Sequence, residues 1–334
     1  MSKKFNVKDK RFPKWDNIEP NFKFVNDLEN IHVELQSAPN LDEIVKWVPG
    51  VLLSTWDKCG RHLDKEDNKT ELEEVDKEEA IKLFYRACKG GFLPAFLENI
   101  NIIVLFDGIN WHDVTHLIRS RKMTFFADCS GDKLLNEREI TIPEAFVKGG
   151  YEEEYCELMK KSMELYCKLM NDKNISHHDA RLVVPRTEGT FYYVRMNLGD
   201  AIRVCHQRFD HQTQPKSDTI MMAQLWVEIC KKYPFLSWLL EFDETNKFYV
   251  KECQTNFASM FYQPLPQNKE VLKYTEPEDY LYDKNPDELY GSGEGSIYKR
   301  LMDGYKLEIE RLREIAAKKW PYLYDEDFVI DYKA

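Results

Sequence analysis

The sequence predicts a protein of mixed α and β structure, either α/β or α+β, and three observations carry that expectation. The apolar run Ile100–Phe106 is short and ends at Asp107-Gly108, the pattern of a buried strand and a turn. From Tyr151 to Met170, apolar residues at 155, 158, 159, 163, 166, 169 and 170 form a wide stripe of helical period. Further on, Val183-Val184 and Phe191–Val194 are short apolar segments around a loop, and Asn197–Arg208 alternates apolar and polar groups as a helix does.

The remaining elements follow in order along the chain. Residues 1 to 45 are polar and carry Pro13, Pro20 and Pro39, so they read as an extension with little regular structure. A dense charge run over 64 to 79 reads as a solvated loop, which leads into a helix over about 77 to 89 that stops at Gly90-Gly91. Thr141-Ile142-Pro143-Glu144 has capping-box spacing and is expected to open a helical region. A helix over about 218 to 232 stops before Pro234, and a last amphipathic helix covers roughly 296 to 318. The glycines of GSGEGS, 291 to 296, lack the spacing and the preceding strand of a dinucleotide fingerprint and read as a loop.

Composition narrows the function. Apolar residues make up 43% of the chain, enough for a substantial core. A net charge of −11 argues against non-specific binding to nucleic acid or to an anionic membrane. No apolar run reaches the length of a membrane span, and the start, MSKKFNVKDKRFPKW, has no apolar secretory segment, so a soluble cytoplasmic protein is expected. Eight scattered cysteines without a Cys-x-x-Cys pair suit reduced thiols better than a disulfide framework or a zinc site. An acidic protein that binds phosphate must do so with local arginines.

The stretch HLIRSRKMTFFADCSGDK, 116 to 133, offers such arginines. Arg119 and Arg121 stand beside Asp128-Cys129-Ser130-Gly131-Asp132, where a Ser-Gly turn brings backbone N–H groups close to an anion. The stretch reads as a helix-to-loop element. A second segment, ARLVVPRTEGTFYYVRMNLGDAIRVCHQR, 180 to 208, supplies Arg181 and Arg208. Cys129 reads as an inert thiol rather than a nucleophile, and His177-His178 lack further metal ligands at useful spacing.

Together these two segments resemble the flavin-dependent thymidylate synthase (ThyX) family. Arg119-Ser120-Arg121 is similar to that family's Arg-His-Arg, Ser130-Gly131 to its nucleotide-holding turn, and the Arg181 loop with the Asn197 helix to its later segments. The resemblance implies an α+β core with a central mixed or antiparallel sheet flanked by helices over 49–245, an N-terminal extension over 1–48, and a C-terminal extension with a terminal helix over 246–334. It implies one-carbon transfer to C5 of a deoxypyrimidine monophosphate with FAD, NADPH and methylenetetrahydrofolate, in a homotetramer whose sites form between subunits. Arg119, Ser130 and Arg208 take the catalytic positions. His116, Arg119, Asp128, Ser130, Gly131, Arg181 and Arg208 lie with the substrate, and Arg119, Ser120, Arg121, Asn197 and Arg203 with the flavin.

The departures are specific. Ser120 replaces the middle histidine, Asp132 replaces the last signature arginine, and Gly91-Phe92-Leu93-Pro94 stands where the family reads His-Glu-Thr-Pro. They leave open two alternatives: a hydroxymethyltransferase acting on deoxyuridylate or deoxycytidylate, and a nucleotide-binding homologue without catalysis.

Overall fold

Side chains alternate across the strand Asn101–Asn110, with Ile102, Val104 and Phe106 buried and Asn101, Ile103 and Asp107 exposed. This strand is paired on both edges. The computed structural model describes residues 17–52, 61–63, 70–72, 76–88, 94–119, 122–127, 133–208, 216–242, 248–250 and 295–323. In chain order its elements are β1 (Lys23–Asn26), β2 (His32–Ser37), α1 (Leu41–Leu52), β3 (Arg61–Leu63), β4 (Thr70–Leu72), α2 (Lys77–Cys88), α3 (Pro94–Asn99), β5 (Asn101–Asn110), α4 (Trp111–Leu117), β6 (Thr124–Ala127), β7 (Glu139–Ile142), α5 (Glu144–Lys148), α6 (Glu152–Asn171), α7 (His177–Ala180), β8 (Gly189–Asn197), α8 (Leu198–Arg208), α9 (Lys216–Lys232), β9 (Leu240–Phe242), β10 (Phe248–Val250) and α10 (Ile297–Lys319).

The central sheet has the order β2-β5-β8-β6 and is antiparallel throughout. This is the α+β arrangement with an antiparallel sheet flanked by helices. β1 and β7 pair in parallel beside it, and β3/β4 and β9/β10 are small antiparallel pairs. The main core lies between the sheet and α2, α3, α8, α9 and α10, with Trp226 of α9 fully buried at its centre. Phe84 makes edge-to-face contacts with Phe96, Tyr233 and Phe235 at centroid distances of 5.8, 5.5 and 5.6 Å, the geometry aromatic quadrupoles prefer. A smaller cluster, including Met163, Tyr166 and Cys167 of α6, sits under α6, α7 and β7.

Three sequence expectations change. The segment read as an extension holds β1 and β2, and β2 is an edge of the central sheet. Its outer backbone is satisfied from α9: Val33 N–H donates to Gln224 Oε1 at 2.8 Å, and Gln224 Nε2 donates to the Ile31 carbonyl at 2.8 Å. Thr141 caps no helix. It lies in β7 and donates to the Thr187 carbonyl at 3.0 Å, while α5 starts from Pro143 with no side-chain cap. The stretch read as a helix-to-loop element also holds a strand, β6, paired with β8. The terminal helix α10 begins at its Ser296 cap, and Met302, Ile309, Leu312 and Ala316 join the main core.

One glycine is needed to shape the strand that leads to the site. β5 carries a bulge between Phe106 and Ile109, and Gly108 within it has φ +68°, while a Cβ there would lie 2.0 Å from the Asn30 carbonyl oxygen. Gly108→Ala is therefore expected to destabilise the protein by about 2–4 kcal/mol, from the left-handed backbone and overpacking together. Urea unfolding measures it, and a loss below about 1 kcal/mol would show that the bulge relaxes freely.

Candidate active site at the start of helix α4

β5 passes into α4 without a loop, and Asn110 makes the junction. Its side chain accepts from the N–H groups of His112 at 2.9 Å and Asp113 at 3.1 Å, while Asp113 Oδ2 accepts from Asn110 N–H at 3.2 Å. This reciprocal cap satisfies the orphan donors of the first turn and fixes the helix on the end of the strand. His112 and His116, four apart, then share one helix face with ring centroids 4.6 Å apart. Trp111 N–H donates to the Arg186 carbonyl at 3.0 Å, which docks the loop before β8 on the same junction.

Two other helix ends converge there. Asp218, in the first turn of α9, has a fully buried side chain, and its Oδ2 lies 2.8 Å from His116 Nδ1 and 3.7 Å from Arg208 Nη1. Arg208, the last residue of α8, donates through Nη2 to the His116 carbonyl at 2.7 Å. Ser217 Oγ donates to Asp113 Oδ1 at 2.5 Å. Two buried carboxyls, Asp113 and Asp218, thus lie behind two histidines and an arginine.

Their electrostatics differ by partner. Burial, and then the charge of Asp218, push the Asp113 carboxyl up to about 7, against hydrogen bonds from Ser217 and Asn110 that favour the carboxylate. Asp218 faces cationic Arg208 and the His116 ring, whereas Asp113 has uncharged donors, so Asp113 is the member that takes a proton. Burial and the neighbouring His116 lower the pKa of His112, which keeps that ring neutral at neutral pH. Arg208 is a permanent cation bonded to the His116 carbonyl, and its guanidinium suits an oxyanion such as a phosphate.

Of the residues expected at the site, the structure joins His116 and Arg208. Arg119 stands exposed in the turn after α4, three residues beyond His116. Arg181 lies by the smaller cluster, where Nε donates to the His177 carbonyl at 3.3 Å and Nη2 meets His178 Nδ1. Asn197 caps α8, exchanging hydrogen bonds with Asp200 at 2.6 and 2.8 Å. Arg203 donates to Asp200 from Nε at 3.2 Å and Nη2 at 3.0 Å. Ser120, Arg121, Asp128, Cys129, Ser130, Gly131 and Asp132 lie outside the described residues, as do Gly91, Phe92 and Leu93. Sequence reading missed Asn110, Asp113, Ser217 and Asp218. Only Asn110-x-x-Asp113, a cap spacing directly behind an apolar strand, carried a local signal.

A family model described as thymidylate synthase complementing protein matches residues 39–234 of the chain. The chain belongs to that family. The resemblance read from Arg119, Arg181 and Arg208 therefore holds at the level of family. The match to the thymidylate synthase complementing protein family takes in α1 to α9 and leaves β2 and α10 outside. Among solved structures, the UMP/dUMP methylase PolB from Streptomyces cacaoi, bound with 5-Br dUMP, is similar at 16% identity and TM-score 0.46 over 63% of this chain and 92% of its own. Thymidylate Synthase X from Helicobacter pylori, with FAD and dUMP, is similar at 15% identity and TM-score 0.43 over 61% and 96%. No curated protein matches the chain.

A flavin needs donors for its diphosphate and its ring. Among the described residues placed on the flavin side by the resemblance, Asn197 and Arg203 are both bonded to Asp200, and Arg119 is exposed.

The raised Asp113 pKa fixes a sign for pH dependence. Between its ordinary value near 3.8 and about 7, the folded chain holds a proton that the unfolded chain has lost, so this group lowers stability as pH rises across that window. Asp113→Asn should flatten the fall in unfolding free energy between pH 5 and 8 by roughly 2–3 kcal/mol. Denaturant unfolding at the two pH values tests this, and an unchanged slope would overturn the assignment.

Proposed function

We propose that this chain transfers a one-carbon unit to C5 of a deoxypyrimidine 5′-monophosphate, as in thymidylate synthesis. The observation that carries the reading is Arg208, seated on the buried His116–Asp218 pair inside the family-matched region. A guanidinium anchored along one edge meets a phosphate or a base carbonyl in a defined orientation. Arg119, Arg181 and the Ser130-Gly131 turn are proposed as further substrate contacts. Methylenetetrahydrofolate would be the one-carbon donor in this reading; Arg119, Ser120, Arg121, Asn197 and Arg203 would hold FAD, which with NADPH would supply the two electrons that convert methylene to methyl.

Arg181 and Arg208 belong to different clusters of the described chain, which supports a site completed by a second subunit of a homotetramer. Leu182, next to Arg181, is 82% exposed, and Phe126 on the edge strand β6 is 77% exposed, apolar surface that an assembly would cover. A strict monomer in sedimentation velocity at micromolar concentration would remove this part of the proposal.

A second reading has a specific support in the ties of Asn197 and Arg203 to Asp200. In it, water adds to the transferred methylene, giving a hydroxymethyl product and tetrahydrofolate with no net reduction. Incubation of dUMP and dCMP with methylenetetrahydrofolate, with and without FAD and NADPH, separates the readings by product mass. A methylated product that requires NADPH supports the first, a hydroxymethylated product without it supports the second, and no product with tight nucleotide binding points to a non-catalytic relative.

Arg208→Ala is expected to weaken dUMP or dCMP binding by about 2–5 kcal/mol, well over tenfold, because the bound anion loses its cation. Calorimetric titration measures it. Unchanged affinity would remove Arg208 from the site.

A further inference from the structure

We propose that Asp218 is the positioning residue of this site, its buried carboxylate holding the Arg208 guanidinium and the His116 ring in the one arrangement that receives the substrate's anionic group. The assignment rests on the nucleotide reading above and goes beyond it by naming what orients the cation. No solvent-exposed part of Asp218 exists to meet a ligand, since its side chain is 0% exposed, against 15% for Arg208 and 19% for His116. Its influence on a substrate must therefore pass through those two groups.

The geometry shows how. Arg208 Nη1 lies 3.7 Å from Asp218 Oδ2, and its Nη2 donates to the His116 carbonyl at 2.7 Å. The same Asp218 oxygen lies 2.8 Å from His116 Nδ1, so one oxygen serves both partners. Asp218 thereby ties the end of α8, the end of α4 and the start of α9 at a single point. With Nδ1 turned to the carboxylate, Nε2 of His116 is the ring nitrogen directed away from it.

Stability alone gives a poor account of this carboxylate. Taking a carboxylate out of water costs several kcal/mol, and a buried ion pair often returns no more than that. Asp218 Oδ1 has no hydrogen-bond partner among the described residues, which leaves the burial only partly compensated. Incomplete compensation of a buried charge directed at a partly exposed arginine is the pattern of a functional site rather than of a core ion pair. The neighbouring groups do not duplicate its role: Asp113 is bonded to Ser217 and Asn110, and His112 carries no charge at neutral pH.

The test is a double-mutant cycle in the full-length protein, with dUMP and dCMP as titrants. Asp218→Asn keeps the shape and removes the charge, and Arg208→Lys keeps the charge and removes the fork. Each single variant is expected to weaken nucleotide binding at least tenfold, with the melting temperature of Asp218→Asn at or above that of the native chain. The double variant should lose less affinity than the two single losses combined, because Asp218 acts in part through Arg208. A merely structural role moves melting temperature and leaves the cycle additive. Native affinity in Asp218→Asn, or full additivity, overturns the proposal. If Asp218→Asn does not fold, Asp218→Glu replaces it: the longer side chain keeps the charge and displaces the guanidinium, and native affinity there overturns the proposal equally. A native chain that binds neither nucleotide overturns the functional reading itself, an outcome distinct from native binding with an unaffected variant.

Discussion

Much of the structure depends on the continuity of β5 with α4. A strand paired on both edges cannot shift its register without exposing its buried face. Its last residue, Asn110, is also the cap of the helix, so the sheet dictates where α4 starts and which way it points. The bulge at Gly108 is part of the same constraint. Strict alternation breaks there, and Gly108, Ile109 and Asn110 are all buried in succession. That inward turn brings Asn110 and Asp113 beneath the sheet's end, where the first turn of α9 can reach them.

The charges gathered at that point suit the backbone around them. Asp218 sits in the first turn of α9, where unpaired N–H groups favour an anion, and Arg208 sits at the end of α8 and bonds a carbonyl near the end of α4, where carbonyls favour a cation. In a chain with a net charge of −11, an anion site depends on such local placement, because the long-range field repels the ligand. A protonated Asp113 beside Asp218 lessens the local negative charge that Arg208 must otherwise offset.

Sequence reading reached the elements whose signal is local. The α6 stripe, the α8 and α9 helices and the β5 run all have a period that a window of residues reveals, and the structure places them within a few residues. β2 was missed because its partners are far away: its inward Val33 is flanked by polar residues, and its edge is completed by Gln224, 191 residues on. The site divided in the same way. Arg208 and His116 were readable through family resemblance, whereas Asp113 and Asp218 are two of 58 acidic residues with nothing local to mark them. What distinguishes them is a meeting between residues over a hundred positions apart, which only the fold supplies.

Arg203 and Arg208 show how differently two arginines of similar exposure can be held. Their side chains are almost equally exposed, at 17% and 15%, and they lie on the same helix. Arg203 pairs with Asp200, three residues back, and Asp200 is already bonded to the Asn197 cap, so the set closes within one end of α8. Such a pair contributes a few tenths of a kcal/mol to the helix. Arg208 spans 92 residues to the His116 carbonyl and meets a buried carboxylate on a third helix. Ordering a long side chain across three elements costs rotamer entropy of about 1.5–2 kcal/mol, which the local pair loses only in part. Of the two arginines, Arg208 is the one tied to separate parts of the fold, the end of α4 and the start of α9.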